Sequence, residues 1–146
     1  MEVEIPPFYP LIIGRGGDNI KRIMNASIVY GVLGLMGGVF YREFTKLNGF
    51  TTLSVVRTHY LMLGMVLFLL LVLFEKNFHF VDNKVLKYLL FYHIGLNLTV
   101  VMLVVRGVLH VLSLEVLSVV LSGIAHLILG ISMVLVLILI RNCINN

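Results

Sequence analysis

Two histidines, His59 and His126, stand at similar depth inside uncharged apolar stretches of this 146-residue chain. An imidazole in hydrocarbon is costly to place, so it faces a partner, a cavity or a cofactor. His59 lies 17 residues before Lys76 and His126 lies 15 before Arg141. At the rise of a helix those separations are heights of about 25 and about 22 Å. Two imidazoles level with each other in a helical bundle can ligate a haem or a metal ion. Zinc and copper want three or four protein ligands. Haem needs two axial ligands, its pyrrole nitrogens supplying the rest. The pair therefore favours haem b, with His59 and His126 on the iron.

Other residues fit that reading and also have plainer explanations. Arg42, Arg57 and Arg106 stand at about 28 to 30 Å on the same scale, roughly one turn beyond the histidines. Guanidinium groups pair with carboxylates such as haem propionates, although arginines at span ends also snorkel to the interface. Gly37 and Gly38 fall near the histidine level and would leave space for a macrocycle. The alternative is a Gly-x-x-x-Gly packing seam from Gly34 to Gly38. His93, with Asn97 one turn on, lies about 9 Å above Lys87, too low to join the pair. It is expected to make a hydrogen bond within the bundle, with a quinone or proton-path role as the minor alternative. Met102 is level with the pair and reads as filler. His79 and His110 read as solvated.

The elements that must position these residues are membrane spans. The chain is 60% hydrophobic and only 12% charged, with a mean hydropathy of +1.05. A soluble domain carries roughly 25% charged residues. Uncharged runs extend over Ile23 to Tyr41, Thr58 to Phe74, Tyr88 to Val105 and Val116 to Ile140. Each approaches or exceeds the roughly 18 apolar residues that cross a bilayer. The expected fold is an all-α membrane protein, a four-helix transmembrane bundle over residues 21–142. Its helices are expected near 21–43, 52–76, 85–111 and 114–141.

Residues 1–20 read as an interfacial, flexible segment, because Pro6, Pro7 and Pro10 interrupt a helix. The Gly-rich stretch Gly14 to Asn19 reads as a turn ending in a helix cap, not as a phosphate cradle, since it lacks the spacing of a nucleotide fingerprint. Seven basic residues (Arg15, Lys21, Arg22, Lys76, Lys84, Lys87 and Arg141) fall on one side, and four (Arg42, Lys46, Arg57 and Arg106) on the other. That bias places both termini in the cytoplasm. The acidic start, Glu2 and Glu4, does not read as a cleavable signal. The net charge of +4 follows span flanks and does not form a nucleic-acid patch. Cys143, the single cysteine, lies outside the bundle and has no internal disulfide partner.

On helix four, Ser118, Ser122, His126 and Gly130 recur at four-residue steps. This small, polar face is expected to point inward. A weak repeat is also visible: His59-Tyr-Leu-Met-Leu-Gly64 matches His126-Leu-Ile-Leu-Gly130 with one residue fewer. It would make the protein two repeated helix hairpins in parallel orientation.

The stretch from Val39 through Tyr41-Arg42-Glu43-Phe44-Thr45 to Phe50, followed by Leu53 to Gly64 with its Thr58-His59, resembles a family of small bacterial four-helix membrane proteins with no assigned activity. The resemblance runs from Asn25 onward and implies a location in the bacterial inner membrane. Members of the family look distantly similar to the catalytic-subunit helices of haem–copper oxidases, where intramembrane histidines bind haem; this implies axial roles for His59 and His126. Where the family pattern often has a histidine, two residues before His59, this chain has Arg57.

The function expected from these readings is a small membrane b-type haem protein for electron transfer or for haem or gas sensing. The alternatives are a structural or assembly subunit of a membrane complex and, with less support, a small-molecule or ion transporter. The sequence carries no acid–base or nucleophile–base arrangement of an independent enzyme. Expected partners are the lipid bilayer, a second copy of the chain or a respiratory-type membrane protein, and no nucleic acid.

Overall fold

The computed structural model describes residues 9–48, 53–111 and 116–144. Four helices account for nearly all of them: α1 (Tyr9–Asn48), α2 (Ser54–Phe78), α3 (Asn83–Val111) and α4 (Val116–Ile144). Each contains a stretch long and apolar enough to cross a membrane: Gly17–Phe44, Ser54–Phe78, Asn83–Leu109 and Val120–Cys143. Large apolar side chains such as Leu35, Met36, Leu90 and Leu127 are about 60% exposed or more. A surface of that kind is suited to lipid, because soluble proteins rarely expose extended apolar patches. The protein is a multi-pass membrane protein.

The first helix begins earlier than the prolines suggest. Residues 9–20, expected to lie outside it, form its opening turns, and the Gly14 to Asn19 stretch is helical, not a turn. Pro10 is accommodated because the first turn of a helix has no use for its missing N–H. Residues 1–8 lie outside the described residues. The other three helices cover Ser54–Phe78, Asn83–Val111 and Val116–Ile144.

Helices α1 and α2 pack along one another, α3 packs on α4, and α2 joins the two pairs through α3. The second and fourth helices run in the same direction. His59 meets His126 at one end, while Phe74 and Phe78 line a small gap with Ile140 and Cys143 at the other. The α1–α2 seam is built on glycine. A Cβ added at Gly34 would lie 2.8 Å from the side chain of Leu61, and one at Gly64 would lie 2.6 Å from Tyr30. The Gly-x-x-x-Gly reading of Gly34 and Gly38 is thus the one that the packing supports.

The α2–α3 connection is tied down by polar groups. Glu75 is 1% exposed and accepts the Val81 N–H at 2.8 Å. Asn19 donates to the Val81 carbonyl from α1 at 3.1 Å. His79 ends α2 in the left-handed region, with φ of 48°. Asp82 then caps α3 by accepting the Val85 N–H at 2.7 Å; a side-chain oxygen there satisfies an amide that the first turn leaves without a partner.

Within α2, His59–Val66 is a π-helix. Its i→i+5 hydrogen bonds are rare and wider than those of an α-helix. Where the pattern returns to i→i+4, one carbonyl is left without an amide. The carbonyls of this region find side-chain donors on neighbouring helices. Tyr92 Oη donates to Leu63 O at 2.7 Å, and Ser27 Oγ donates to Met65 O at 2.9 Å. The π segment also accounts for the unequal repeat. Histidine and glycine are five residues apart in α2 and four apart in α4. The wider turn of α2 places Gly64 one turn beyond His59, as the α-helical turn of α4 places Gly130 beyond His126.

Candidate functional site

The structure brings His59 and His126 together. Their ring centres are 5.6 Å apart and the rings are perpendicular, at 88°. Each ring is held by its own helix: His59 Nδ1 lies 3.0 Å from Val55 O, and His126 Nδ1 lies 2.7 Å from Ser122 O. A carbonyl can only accept, so Nδ1 carries a proton in both rings. The Nε2 atom of each is then the nitrogen left to bind a ligand through its lone pair. Ligand histidines are commonly oriented by just such a bond from the other ring nitrogen.

The two rings differ in setting. His59 is half-buried, whereas His126 is exposed on the lipid-facing side of α4. The expectation that the Ser122, His126 and Gly130 face points inward is therefore corrected. The buried stripe of α4 is Ser122, Ala125, Leu129, Ser132, Val136 and Ile140. Helical residues advance about 100° each, so steps of four drift by about 40°, and a face that is buried at Ser122 has turned outward by Gly130. The close approach to α3 is made instead through Gly95, where an added Cβ would lie 3.2 Å from Leu129 Cα. An open apolar groove of about 440 Å³ flanks His126, with Leu127, Gly130, Ile131 and Val134 among its walls.

The remaining expected site residues are placed less favourably. An added Cβ at Gly37 would meet Val56 at 3.3 Å, and one at Gly38 would meet Arg57 Cδ at 2.8 Å. The space expected there for a macrocycle is filled by α2, because these glycines belong to the helix seam. Open room lies on α4 beside Gly123 and Gly130, where an added Cβ would meet nothing within 4 Å. Arg57 lies along Gly38 and is exposed, Arg42 is exposed, and Arg106 is half-buried. The side chain of His110 lies outside the described residues. Among the described residues no group of three or more histidine, cysteine or acidic side chains converges on a point.

A second polar constellation lies in the interior, between α1, α2 and α3. Tyr30 Oη is 2.5 Å from His93 Nδ1, and Asn97 Nδ2 donates to Tyr30 Oη at 3.0 Å and to His93 O at 2.8 Å. Tyr60 Oη donates to Asn97 Oδ1 at 3.2 Å. The His93 ring stacks on Phe68 at 4.6 Å and on Tyr30 at 5.5 Å. The internal hydrogen bond expected of His93 is present. Tyr30 and Tyr60 were not legible as its partners, since a tyrosine in a span reads equally well as an interfacial anchor. The one sequence signal was the four-residue step from His93 to Asn97.

Fold and site together define a four-helix membrane protein with one histidine pair on its lipid-facing side and a buried tyrosine–histidine–asparagine cluster. Residues 20–143 match a family described as protein of unknown function (DUF2871), and the chain belongs to that family. No curated protein and no solved structure matches it.

Proposed function

We propose that this protein is a small b-type haem protein of the bacterial cytoplasmic membrane, with both termini cytoplasmic, serving electron transfer or haem or gas sensing. The observation that carries this reading is the histidine pair. Two imidazoles on different helices, each with Nδ1 engaged by a carbonyl, have ring centres 5.6 Å apart. A metal–imidazole bond is about 2.0–2.1 Å. Rings at this separation are near enough for one ion to be held between their Nε2 atoms. The donor set suits an iron that takes two axial ligands better than a bare ion that needs more.

In this reading His59 and His126 hold the iron, and Val55 O and Ser122 O keep both rings in the ligating tautomer. The groove beside Gly130 gives an apolar ring somewhere to lie, and Arg42, Arg57 and Arg106 would meet its propionates. Haem supplies one-electron redox chemistry or gas binding when bound. Partners of this kind of protein would be a second copy or a respiratory-type membrane complex.

The test is an absorption spectrum of the protein purified in detergent after expression with haem available. A Soret band that is lost or displaced in His59→Ala and in His126→Ala is the expected result. A colourless wild-type protein, or a band that neither substitution alters, would refute the reading and favour a structural subunit of a membrane complex.

A further inference from the structure

His93 carries a donor that the protein does not use. Tyr30 Oη already accepts from Asn97, so its own proton goes to His93 Nδ1, which leaves the other proton of the neutral ring on Nε2. Among the described residues no group accepts from Nε2, and no buried side-chain nitrogen or oxygen lacks a hydrogen-bond partner. The Nε2–H must therefore reach an open surface. The surface beside it is an apolar groove of about 190 Å³ between α1 and α3, walled by Arg22, Ala26, Phe68, Leu89, Leu90 and His93 itself.

The donors behind that hydrogen all point one way. Tyr60 donates to Asn97, Asn97 to Tyr30 and Tyr30 to His93, and the chain ends at Nε2–H in the groove. Aligned hydrogen bonds polarise one another and strengthen the last donor. The groove opens sideways into the apolar band, so its occupant arrives through the bilayer. It is smaller than the roughly 300–1,000 Å³ of sites that hold drug-sized ligands. That size suits a single ring with its tail left in lipid. A carbonyl oxygen on the ring would accept from His93, and Arg22, on the basic flank of α1, offers a second donor at the groove wall.

We propose that this groove binds the head ring of a membrane quinone, with one ring carbonyl accepting from His93 Nε2. The site stands apart from the histidine pair and does not depend on haem. It is tested with the full chain, ¹⁵N-labelled at histidine, in phosphatidylcholine nanodiscs titrated with decylubiquinone. The expected result is a saturable shift of the His93 ring signal, with the other histidines unmoved. Affinity, read for the variants as saturable retention of the quinone on the nanodisc-embedded protein above empty nanodiscs, should fall by about tenfold in His93→Phe, which removes one hydrogen bond. It should fall at least as far in Leu90→Trp. Leu90 faces lipid, so that substitution fills the groove while leaving the donor chain and the fold in place. No saturable shift, an unchanged affinity in Leu90→Trp, or an equal shift with decanol in place of the quinone would each overturn the proposal.

Discussion

Gly64 offers the sharpest test of the packing that holds both clusters. A methyl group there would stand 2.6 Å from Cβ and Cγ of Tyr30, against the 3.4 Å at which ordinary contact begins, so something must yield by about 0.8 Å. Tyr30 cannot swing aside. The atoms met are next to its backbone, it is 3% exposed, and its hydroxyl is bonded to His93 and Asn97. The helices themselves must part. Overpacking of this kind costs about 1–3 kcal/mol, offset by the roughly 0.5–1 kcal/mol that alanine gains over glycine within a helix. The matched substitution is Gly130→Ala, where nothing lies within 4 Å; it should be neutral or stabilising by that same 0.5–1 kcal/mol. Stability is read from far-UV circular dichroism during titration of the detergent-solubilised protein with SDS. Gly64→Ala should unfold at a lower SDS fraction than wild type, and Gly130→Ala at an equal or higher one. If the two variants unfold together, the close approach of Tyr30 to α2 is wrong.

Two further outcomes follow from single hydrogen bonds. Tyr92→Phe removes the donor to Leu63 O inside the bundle and should cost about 1–3 kcal/mol in the same titration. Tyr88→Phe, on the exposed side of α3, should cost far less. Asp82→Ala removes the cap of α3 and should cost about 1 kcal/mol, read as faster hydrogen exchange of the Val85 amide, with Asp82→Asn restoring protection.

The four spans were legible because charges stand at their ends and are absent between them. The level placement of His59 and His126 was legible for the same reason, since a helix converts residue counts into height. Direction around a helix was harder to read. Ser122, His126 and Gly130 share a four-residue step, yet the α3 contact follows alternating steps of three and four from Ser122 through Ala125 and Leu129 to Ser132. Gly37 and Gly38 show the matching ambiguity: absent side chains signal room, but not whether a cofactor or a neighbouring helix takes it. Tyr30 and Tyr60 were missed as a hydrogen-bonded pair with Asn97 because their hydroxyls meet only through three-helix packing. The single extra residue between His59 and Gly64 was visible, but its effect depends on where the backbone absorbs it.

That extra residue is absorbed by one wide turn, so both ends of α2 keep the faces they would have in an ordinary helix. Phe68, Leu71 and Glu75, after the π segment, fix its orientation against the core, and His59 and Arg57, at its other end, stay in phase with them. Loss of one residue between Tyr60 and Val66 would restore an ordinary α-helix at no cost in length or hydropathy. Because the wide turn already takes up that residue, its loss would leave the His59 end on the same face and the imidazoles still together. Length variation at this one place would therefore spare the histidine pair, and what it would remove is the unpaired carbonyl that Tyr92 now serves.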